Sequence, residues 1–259
     1  MTHTAYRATS VVVRGAYVSL GVMVAAMIAT PLFARRSDER TLLASVVVMS
    51  FFATAVLSAW NVYRFRAMVA AAVVIVATYV VEMLGSTTGV PFGAYDYTDQ
   101  LHPQLGGVPL VVSFAWAAIT LTVFGMFAGR TQSLWLQLAV MAAAITAWDV
   151  FLDPQMVAEG YWTWEPASLN FRGIPLVNYL GWCATALMNS AIVIAVCRPV
   201  QRFSHQISLA TYAVVTVLST IGFFFFFDDA IVAAVGLATM GTCTWLAYRL
   251  SRVAASSPS

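Results

Sequence analysis

Eight long apolar runs constrain the fold of this chain more than any other feature of its sequence. Each run is 18 to 24 residues long, and a helix needs about 20 mostly apolar residues to cross a bilayer. The chain is 61% hydrophobic and only 9% charged, whereas about a quarter of the residues in soluble domains are charged. We predict an all-α, polytopic transmembrane helix bundle that forms a single integral membrane domain over residues 1–259. The predicted spans are 16–33, 42–60, 67–84, 108–128, 134–152, 174–197, 207–227 and 230–248.

The distribution of charge tests the helix count, because merging the last two spans across Asp228 and Asp229 would leave seven helices. With eight helices, one side of the membrane receives no acid and nine arginines: Arg7, Arg14, Arg64, Arg66, Arg130, Arg198, Arg202, Arg249 and Arg252. All eleven acids lie on or near the other side, with four arginines. Arginine in short loops marks the cytoplasmic face, and merging would move the tail arginines outward. We therefore prefer eight helices in a bacterial cell membrane, with both termini cytoplasmic and the acids toward the outer face.

Two residue types exclude particular functions or sites. Every basic residue is an arginine, so no lysine Schiff base can form and a retinal-binding opsin is excluded. The cysteines, Cys183, Cys197 and Cys243, lie in apolar runs without paired spacing. They are interpreted as small packing residues rather than as disulfide or zinc ligands.

The two long connections, residues 85–107 and 153–173, share one sequence pattern. Each follows an acid, Glu82 or Asp149, and a glycine stands eleven residues after that acid in both cases. Aromatic residues occupy the second and fourth positions after the glycine. A Gly-(Val/Ile)-Pro-Leu-Val segment then leads to a tryptophan seven residues after its proline. We predict an internal helix–loop–helix repeat with units at about 67–128 and 134–197.

The repeat gives Glu82 and Asp149 equivalent depths near the outer ends of two helices. Asp153 follows Asp149 by four residues and so shares its helical face, and Pro154 is predicted to end that helix. An acid inside the membrane boundary is costly, which favours a functional role. The structural alternative is that these acids only reach the headgroup region.

The remaining acids near this face have simpler interpretations. Asp96, Asp99, Glu159 and Glu165 are predicted to lie in solvated loops. Arg172 is interpreted as an ion-pair partner for Glu159 or Glu165, and Asp228 and Asp229 as a polar turn.

Aromatic side chains accompany the acids in both long connections. Trp and Tyr normally collect at membrane interfaces, and that alone can explain the aromatic residues of the loops. The functional alternative is a wall of aromatic faces around an apolar ligand or a carbocation, joined by deeper tryptophans and an asparagine of the sixth helix. The candidate substrate-binding residues are Tyr95, Tyr97, Trp116, Trp148, Tyr161, Trp162, Trp164, Asn178 and Trp182.

Paired carboxyl groups in an apolar cleft suit proton chemistry on an apolar substrate. One of them can hold a proton and act as a general acid, while its ionised twin acts as a base. Protonation of an isolated alkene gives a tertiary carbocation. Capture by water then gives a tertiary alcohol, and intramolecular capture gives a ring.

Two segments, "FGAYDYTDQLHPQLGGVPLVVSFAW" and "WDVFLDPQMVAEGYWTWE", resemble the CruF-type carotenoid hydratase family, which includes the bisanhydrobacterioruberin hydratases. The resemblance is clearest over residues 79–182. It implies a membrane enzyme of the hydro-lyase type that adds water to the terminal double bond of an acyclic carotenoid without a cofactor or metal. The matched positions are Glu82, Asp96, Asp149 and Asp153, with the neighbouring aromatic residues. Among them, we assign Asp149 as the acid and Glu82 as the base for the attacking water.

Three other functions remain open at this point. A carotenoid end-group cyclase shares the protonation step but keeps water out. A membrane prenyltransferase is suggested by the spacing of Asp149 and Asp153, although Ser86 stands where a second such pair requires an aspartate. A non-enzymatic carotenoid- or lipid-binding membrane protein would use the acids only to stabilise its outer face. None of these interpretations involves a nucleic acid, and no glycine pattern indicates an oligomer.

Overall fold

The structure is a computed structural model that describes residues 2–130, 133–198 and 206–256. Within these residues the chain forms a bundle of eight α-helices. They are α1 (Thr2–Ala29), α2 (Asp38–Tyr63), α3 (Phe65–Thr88), α4 (Leu110–Phe127), α5 (Leu134–Glu159), α6 (Leu176–Cys197), α7 (Gln206–Phe225) and α8 (Ala230–Ser256), with a 3₁₀ turn at Thr30–Leu32. Each helix contains a stretch long and apolar enough to cross a membrane. The predicted integral membrane bundle is therefore confirmed. Arg202, which was used in the charge argument, lies outside the described residues.

The last two helices are separate, as the count of eight requires. Asp228 adopts a left-handed conformation with φ of 55°, which breaks the helical path after α7. Asp229 then caps α8, because its Oδ1 accepts a hydrogen bond of 3.1 Å from the backbone N–H of Val232. Which end of the bundle faces the cytoplasm stays a prediction.

Helix α5 is longer than predicted, and the expectation that it ends at Pro154 is wrong. The helix continues through Pro154 to Glu159, although proline cannot donate the backbone hydrogen bond of its turn. Gly160 ends it instead, in a left-handed conformation with φ of 78°. An ion pair of 2.6 Å between Glu159 and Arg40 of α2 anchors the final turn. Asp149 and Asp153 consequently lie one turn apart on a continuous helix.

Helix α4 lies at the centre of the bundle. It contacts α2, α3, α5, α6 and α7, and almost every residue from Ala115 to Phe127 is buried. A helix that is apolar on all sides is suited to such a position. The central helix carries Trp116 and so holds that side chain at a fixed place inside the bundle.

The two long loops are built on the same plan and pair with each other. Strand β1 (Tyr95–Tyr97) of the first loop pairs antiparallel with β4 (Trp162–Trp164) of the second. Each loop then forms a short hairpin, β2 (Gln104–Leu105) with β3 (Val108–Pro109), and β5 (Asn170–Phe171) with β6 (Ile174–Pro175).

The register of β1 with β4 relates the two loops in a symmetric way. Tyr95 pairs with Trp164, and Tyr97 pairs with Trp162. In the predicted repeat, Tyr95 is equivalent to Trp162 and Tyr97 to Trp164, so each tyrosine pairs with the equivalent of the other tyrosine. This crosswise pairing is the pattern of a local two-fold axis through the strand pair. The unit bounds, 67–128 and 134–197, stay a prediction.

Two predictions for charged loop residues are wrong. Glu159 is a buried residue of α5 rather than a solvated loop residue, because its carboxylate pairs with Arg40. Arg172 pairs with Asp229, at 2.5 Å, and with neither Glu159 nor Glu165. The fold brings the second long loop against the turn between α7 and α8, a proximity that no local pattern indicates.

Candidate active site

Three carboxyl groups are buried together near the acidic end of the bundle. Glu82 of α3 is 5% exposed, Asp153 of α5 is 2% exposed, and Asp149 of α5 is 0% exposed. Glu82 and Asp153 line the same cavity, and Asp149 and Asp153 accept from the same amide nitrogen of Asn178. The predicted convergence of Glu82 with Asp149 and Asp153 is therefore found in the structure.

Glu82 accepts three hydrogen bonds, and all of its donors come from its own half of the predicted repeat. The hydroxyls of Tyr95 and Tyr97 each donate to Oε2 at 2.7 Å. The indole N–H of Trp116 donates to Oε1 at 2.8 Å. Donors to a carboxylate stabilise its ionised form, so this arrangement suits Glu82 as an anion.

The two tyrosines keep their protons in this setting. Burial, and then the charge of Glu82, raise the pKa of Tyr95 above its ordinary value. The same two causes, in the same order, raise the pKa of Tyr97. Both phenols are therefore neutral donors to Glu82 throughout the physiological range of pH.

The two aspartates share a single amide donor. The side-chain nitrogen of Asn178 on α6 donates to Oδ2 of Asp149 at 2.7 Å and also to Oδ2 of Asp153. The indole N–H of Trp162 donates to the other oxygen of Asp153 at 3.1 Å. Oδ1 of Asp149 has no hydrogen-bond partner among the described residues. The carboxyl groups of Asp149 and Asp153 therefore lie on either side of one amide nitrogen.

The site is built on matching positions but carries different groups in the two halves. Asp153 and Asn178 of the second half stand where the first half has Ser86 and Val112. One half therefore supplies a single carboxylate with three hydrogen bonds, and the other half supplies a carboxyl pair. Such an arrangement separates the roles of proton acceptor and proton donor.

A cavity of about 480 Å³ lies against these groups. Glu82 and Asp153 form part of its wall, whereas Asp149 lies behind Asp153 and Asn178 and does not reach it. All nine predicted substrate-binding residues line this cavity: Tyr95, Tyr97, Trp116, Trp148, Tyr161, Trp162, Trp164, Asn178 and Trp182. Most of the wall is apolar, so the cavity suits an apolar ligand with its reactive part near two carboxyl groups.

A family model described as "Carotenoid biosynthesis protein" matches residues 41–247. The chain belongs to the carotenoid biosynthesis protein family. The match covers α3 to α7 entirely, and with them every carboxyl group of the site.

One curated relative is a bisanhydrobacterioruberin hydratase of the archaeon Haloarcula japonica. It is 33% identical to this chain over 110 residues, which are 40% of this chain and 37% of that protein. The aligned part thus spans little more than a third of the relative's length. No solved structure matches the chain.

Asp96, the fourth acid carried over from the family resemblance, is not part of the site in this structure. It is exposed on β1 and does not line the cavity. Side chains alternate between the two faces of a strand, and Tyr95 and Tyr97 already point to Glu82. Asp96 between them therefore points the other way.

Several cavity residues belong to elements that the sequence patterns do not connect with the site. They lie on α1, α2 and α7 and in the α7–α8 turn, and include Met23, Met27, Arg40, Phe51, Val215, Phe223 and Phe227. The apolar ones are ordinary membrane-helix residues with no distinguishing spacing. Arg40 has no distinguishing signal either, because arginines flank most of the apolar runs in this chain. It is held by Glu159 and by the carbonyl of Phe33, at 2.9 Å from its Nη1.

Proposed function

We propose that this member of the carotenoid biosynthesis protein family is a hydratase. It adds water across the terminal carbon–carbon double bond of an acyclic carotenoid end group. The observation that carries the proposal is the position of Asp153 and Glu82 on the wall of one aromatic cavity, with Asp149 bound to the same amide nitrogen as Asp153. The similarity to a protein named bisanhydrobacterioruberin hydratase supports the same reaction.

The aspartate pair is proposed to supply the proton. Two buried carboxyl groups that accept from one amide nitrogen repel each other when both are ionised, so the pair is proposed to hold one proton near the cavity. Asp153 transfers it to the less substituted carbon of the terminal double bond, and the more substituted carbon becomes a tertiary cation. Asp153 replaces Asp149 as the direct donor because only Asp153 reaches the cavity. Asp149 acts as its positioning partner and shares the negative charge that remains.

The aromatic wall is proposed to stabilise the cation until water arrives. The electron-rich face of tryptophan attracts a positive charge within about 6 Å of the ring. Trp116, Trp148 and Trp182 form one contiguous group beside the acids. Their faces have no lone pair that would form a bond to the cation.

Glu82 is proposed to activate the water. A carboxylate has about four lone-pair sites, and three of those on Glu82 are filled by Tyr95, Tyr97 and Trp116. The remaining site can accept a hydrogen bond from one water, whose oxygen attacks the tertiary cation as Glu82 takes its proton. The product is a tertiary alcohol. Transfer of that proton back to the aspartate pair completes the cycle without any other reactant.

The position of the cavity also supports entry of the substrate from the lipid phase. Three of its wall residues are exposed on the outside of the bundle: Ile28 is 59% exposed, Ile221 is 42% exposed and Phe226 is 48% exposed. Ile28 belongs to α1, Ile221 to α7, and Phe226 follows α7. An apolar polyene can therefore insert one end group between α1 and α7 while the rest of the molecule stays among the lipid chains.

The experiment is a pigment analysis with purified protein in lipid nanodiscs. The protein is incubated with lycopene and with a longer acyclic carotenoid, and products are separated by liquid chromatography with mass detection. A product heavier by one water supports the hydratase, and this product is absent with Asp153→Asn and Glu82→Gln. An isomer of unchanged mass and altered retention would instead identify a cyclase. A folded protein that binds both pigments and changes neither would contradict an enzymatic role.

A further inference from the structure

The end of the bundle opposite the acids contains a groove rich in arginine. Its wall consists of Val62, Tyr63, Arg64, Phe65, Arg66, Cys197 and Arg198. Arg64 and Arg66 lie at the junction of α2 and α3, and Arg198 follows α6. The two elements touch, since the thiol of Cys197 lies 3.9 Å from the carbonyl oxygen of Arg66. We call this groove, whose three arginines are Arg64, Arg66 and Arg198, the arginine groove.

The arginine groove has no neutralising acid. All eleven carboxylate residues lie at or near the opposite end of the bundle, and none is paired with these three arginines among the described residues. All three side chains are exposed. Arg130 lies near Tyr63 but differs from them, because its guanidinium donates to the carbonyls of Gly125 and Met126. Three arginines thus surround one groove without an acidic partner in the part of the chain that the structure describes.

The start of α3 adds to this unbalanced charge. Arg64 is the N-cap residue, its side chain makes no capping hydrogen bond, and the first turn contains no acid. The N-terminus of a helix carries a partial positive charge, so arginines there are unfavourable unless an anion is close. Arg64 and Arg66 flank this helix start. An anion bound between them would offset both the helix dipole and the arginines.

We propose that the arginine groove binds a phosphate group at the membrane surface. The guanidinium fork matches two phosphate oxygens at once, and basic pockets between transmembrane helices hold phospholipid headgroups. Val62 and Phe65 supply an apolar edge beside the charges, which suits a phosphate attached to acyl chains. Soluble phosphate has the same chemistry, and the two sources are separated by experiment.

The test uses the full-length protein purified in a neutral detergent. Bound lipids are counted by native mass spectrometry, and thermal stability is measured with phosphatidylglycerol, with a neutral galactolipid that lacks phosphate, and with inorganic phosphate. The test variant is Arg64→Gln/Arg66→Gln/Arg198→Gln. The matched control is Arg249→Gln/Arg252→Gln, which removes two exposed arginines of α8 from the same end of the bundle but outside the groove. A third variant with lysine at the three groove positions keeps the charge and removes the forks.

The proposal predicts that phosphatidylglycerol, but not the galactolipid, binds and raises the melting temperature of the wild type and of the control. The glutamine variant is expected to bind at least about tenfold more weakly, with the lysine variant between them. Competition by inorganic phosphate at millimolar concentration identifies soluble phosphate as the ligand, and its absence identifies the lipid. Equal losses in the test and control variants would overturn the proposal, as would binding of the galactolipid or full binding by a folded glutamine variant. If the glutamine variant does not fold, undiminished binding by the lysine variant would overturn it as well.

Discussion

Trp116 of α4 and Trp182 of α6 stack on each other, with ring centroids 4.0 Å apart and planes inclined by 25°. The two residues occupy the same position in the two halves of the predicted repeat. Trp116 binds Glu82 through its N–H, and Trp182 packs edge to face on Trp148, next to Asp149 in the chain. The stack therefore connects the two acid centres and keeps their separation fixed, which a reaction that uses both of them requires.

The proton-donor assignment predicts a graded response of the three aspartates. Asp153→Asn removes the acid on the cavity wall and is expected to lower the hydration rate by about 10²–10⁴-fold, the usual contribution of a general acid. Asp149→Asn is expected to cost less, because Asp149 acts only through Asp153. Asp96→Asn is expected to leave the rate unchanged. The measurement is the initial rate of alcohol formation per folded protein, and a larger loss in Asp149→Asn than in Asp153→Asn would refute the assignment.

The hydrogen bonds that Tyr95 and Tyr97 donate to Glu82 predict how substitution of either tyrosine changes the hydration rate. Tyr95→Phe and Tyr97→Phe each remove one hydrogen bond to a charged group, worth about 1.5–3 kcal/mol. If that energy stabilises the ionised base, each substitution is expected to slow hydration by about 10- to 100-fold. Tyr79→Phe is the matched control, since the Tyr79 hydroxyl donates to the carbonyl of Leu105 and contacts no acid.

The same tyrosines make a prediction about pH. Burial and the charge of Glu82 raise the pKa of both above the ordinary value of about 10. A phenol donates its proton in a hydrogen bond only below its pKa, so both donors persist from neutral pH to well above pH 9. The rate profile is therefore expected to show no break from tyrosine ionisation up to that pH. A break near pH 9 that disappears in Tyr95→Phe or Tyr97→Phe would contradict this account.

The helices and the carboxyl pair were predictable because their signals are local. Apolar runs of bilayer length define the eight spans, and a spacing of four residues places Asp149 and Asp153 on one face whatever the surroundings. The repeat also related residues that are distant in the chain, because it gives Glu82 and Asp149 equivalent positions more than sixty residues apart. The shared plan of the two loops, with their aromatic strands paired, is the structural counterpart of that spacing.

Local sequence signals did not predict which face of a helix or strand points into the cavity, or which residues from distant segments pair with each other. Which of Asp149 and Asp153 reaches the cavity depends on how the neighbouring helices surround α5, and Asn178 of α6 donates to both carboxyl groups. Glu159 pairs with Arg40 and so anchors the last turn of α5 beyond Pro154. This pairing depends on the position of the first turn of α2 relative to the end of α5. Asp96 illustrates the same limit, because a family match identifies a position but not the face of a strand, and Asp96 is exposed on β1.

The Arg40–Glu159 ion pair predicts an asymmetric effect on stability. Arg40→Met leaves the buried carboxylate of Glu159 without its partner, which typically costs about 3–5 kcal/mol. Arg40→Met combined with Glu159→Leu removes both charges and is expected to recover most of the loss. Arg172→Met breaks a half-exposed pair and is expected to cost at most about 1 kcal/mol. Thermal unfolding in one detergent compares the variants, and equal destabilisation by the single and double changes at Arg40 and Glu159 would contradict the pairing argument.

The opening between α1 and α7 predicts an effect on substrate entry that is separate from chemistry. Ile28→Trp and Ile221→Trp add bulk at the two exposed edges of the cavity, and neither residue supplies a hydrogen bond to the acids. Both are expected to raise the carotenoid concentration needed for half-maximal rate by about tenfold, since one lost apolar contact or one steric clash is worth about 1–3 kcal/mol. The maximal rate should change little. Val80→Trp and Leu84→Trp are the controls, because these residues are exposed on α3 and do not line the cavity. Equal effects in the controls, or a fall in maximal rate without a change in substrate dependence, would show that substrate does not enter between α1 and α7.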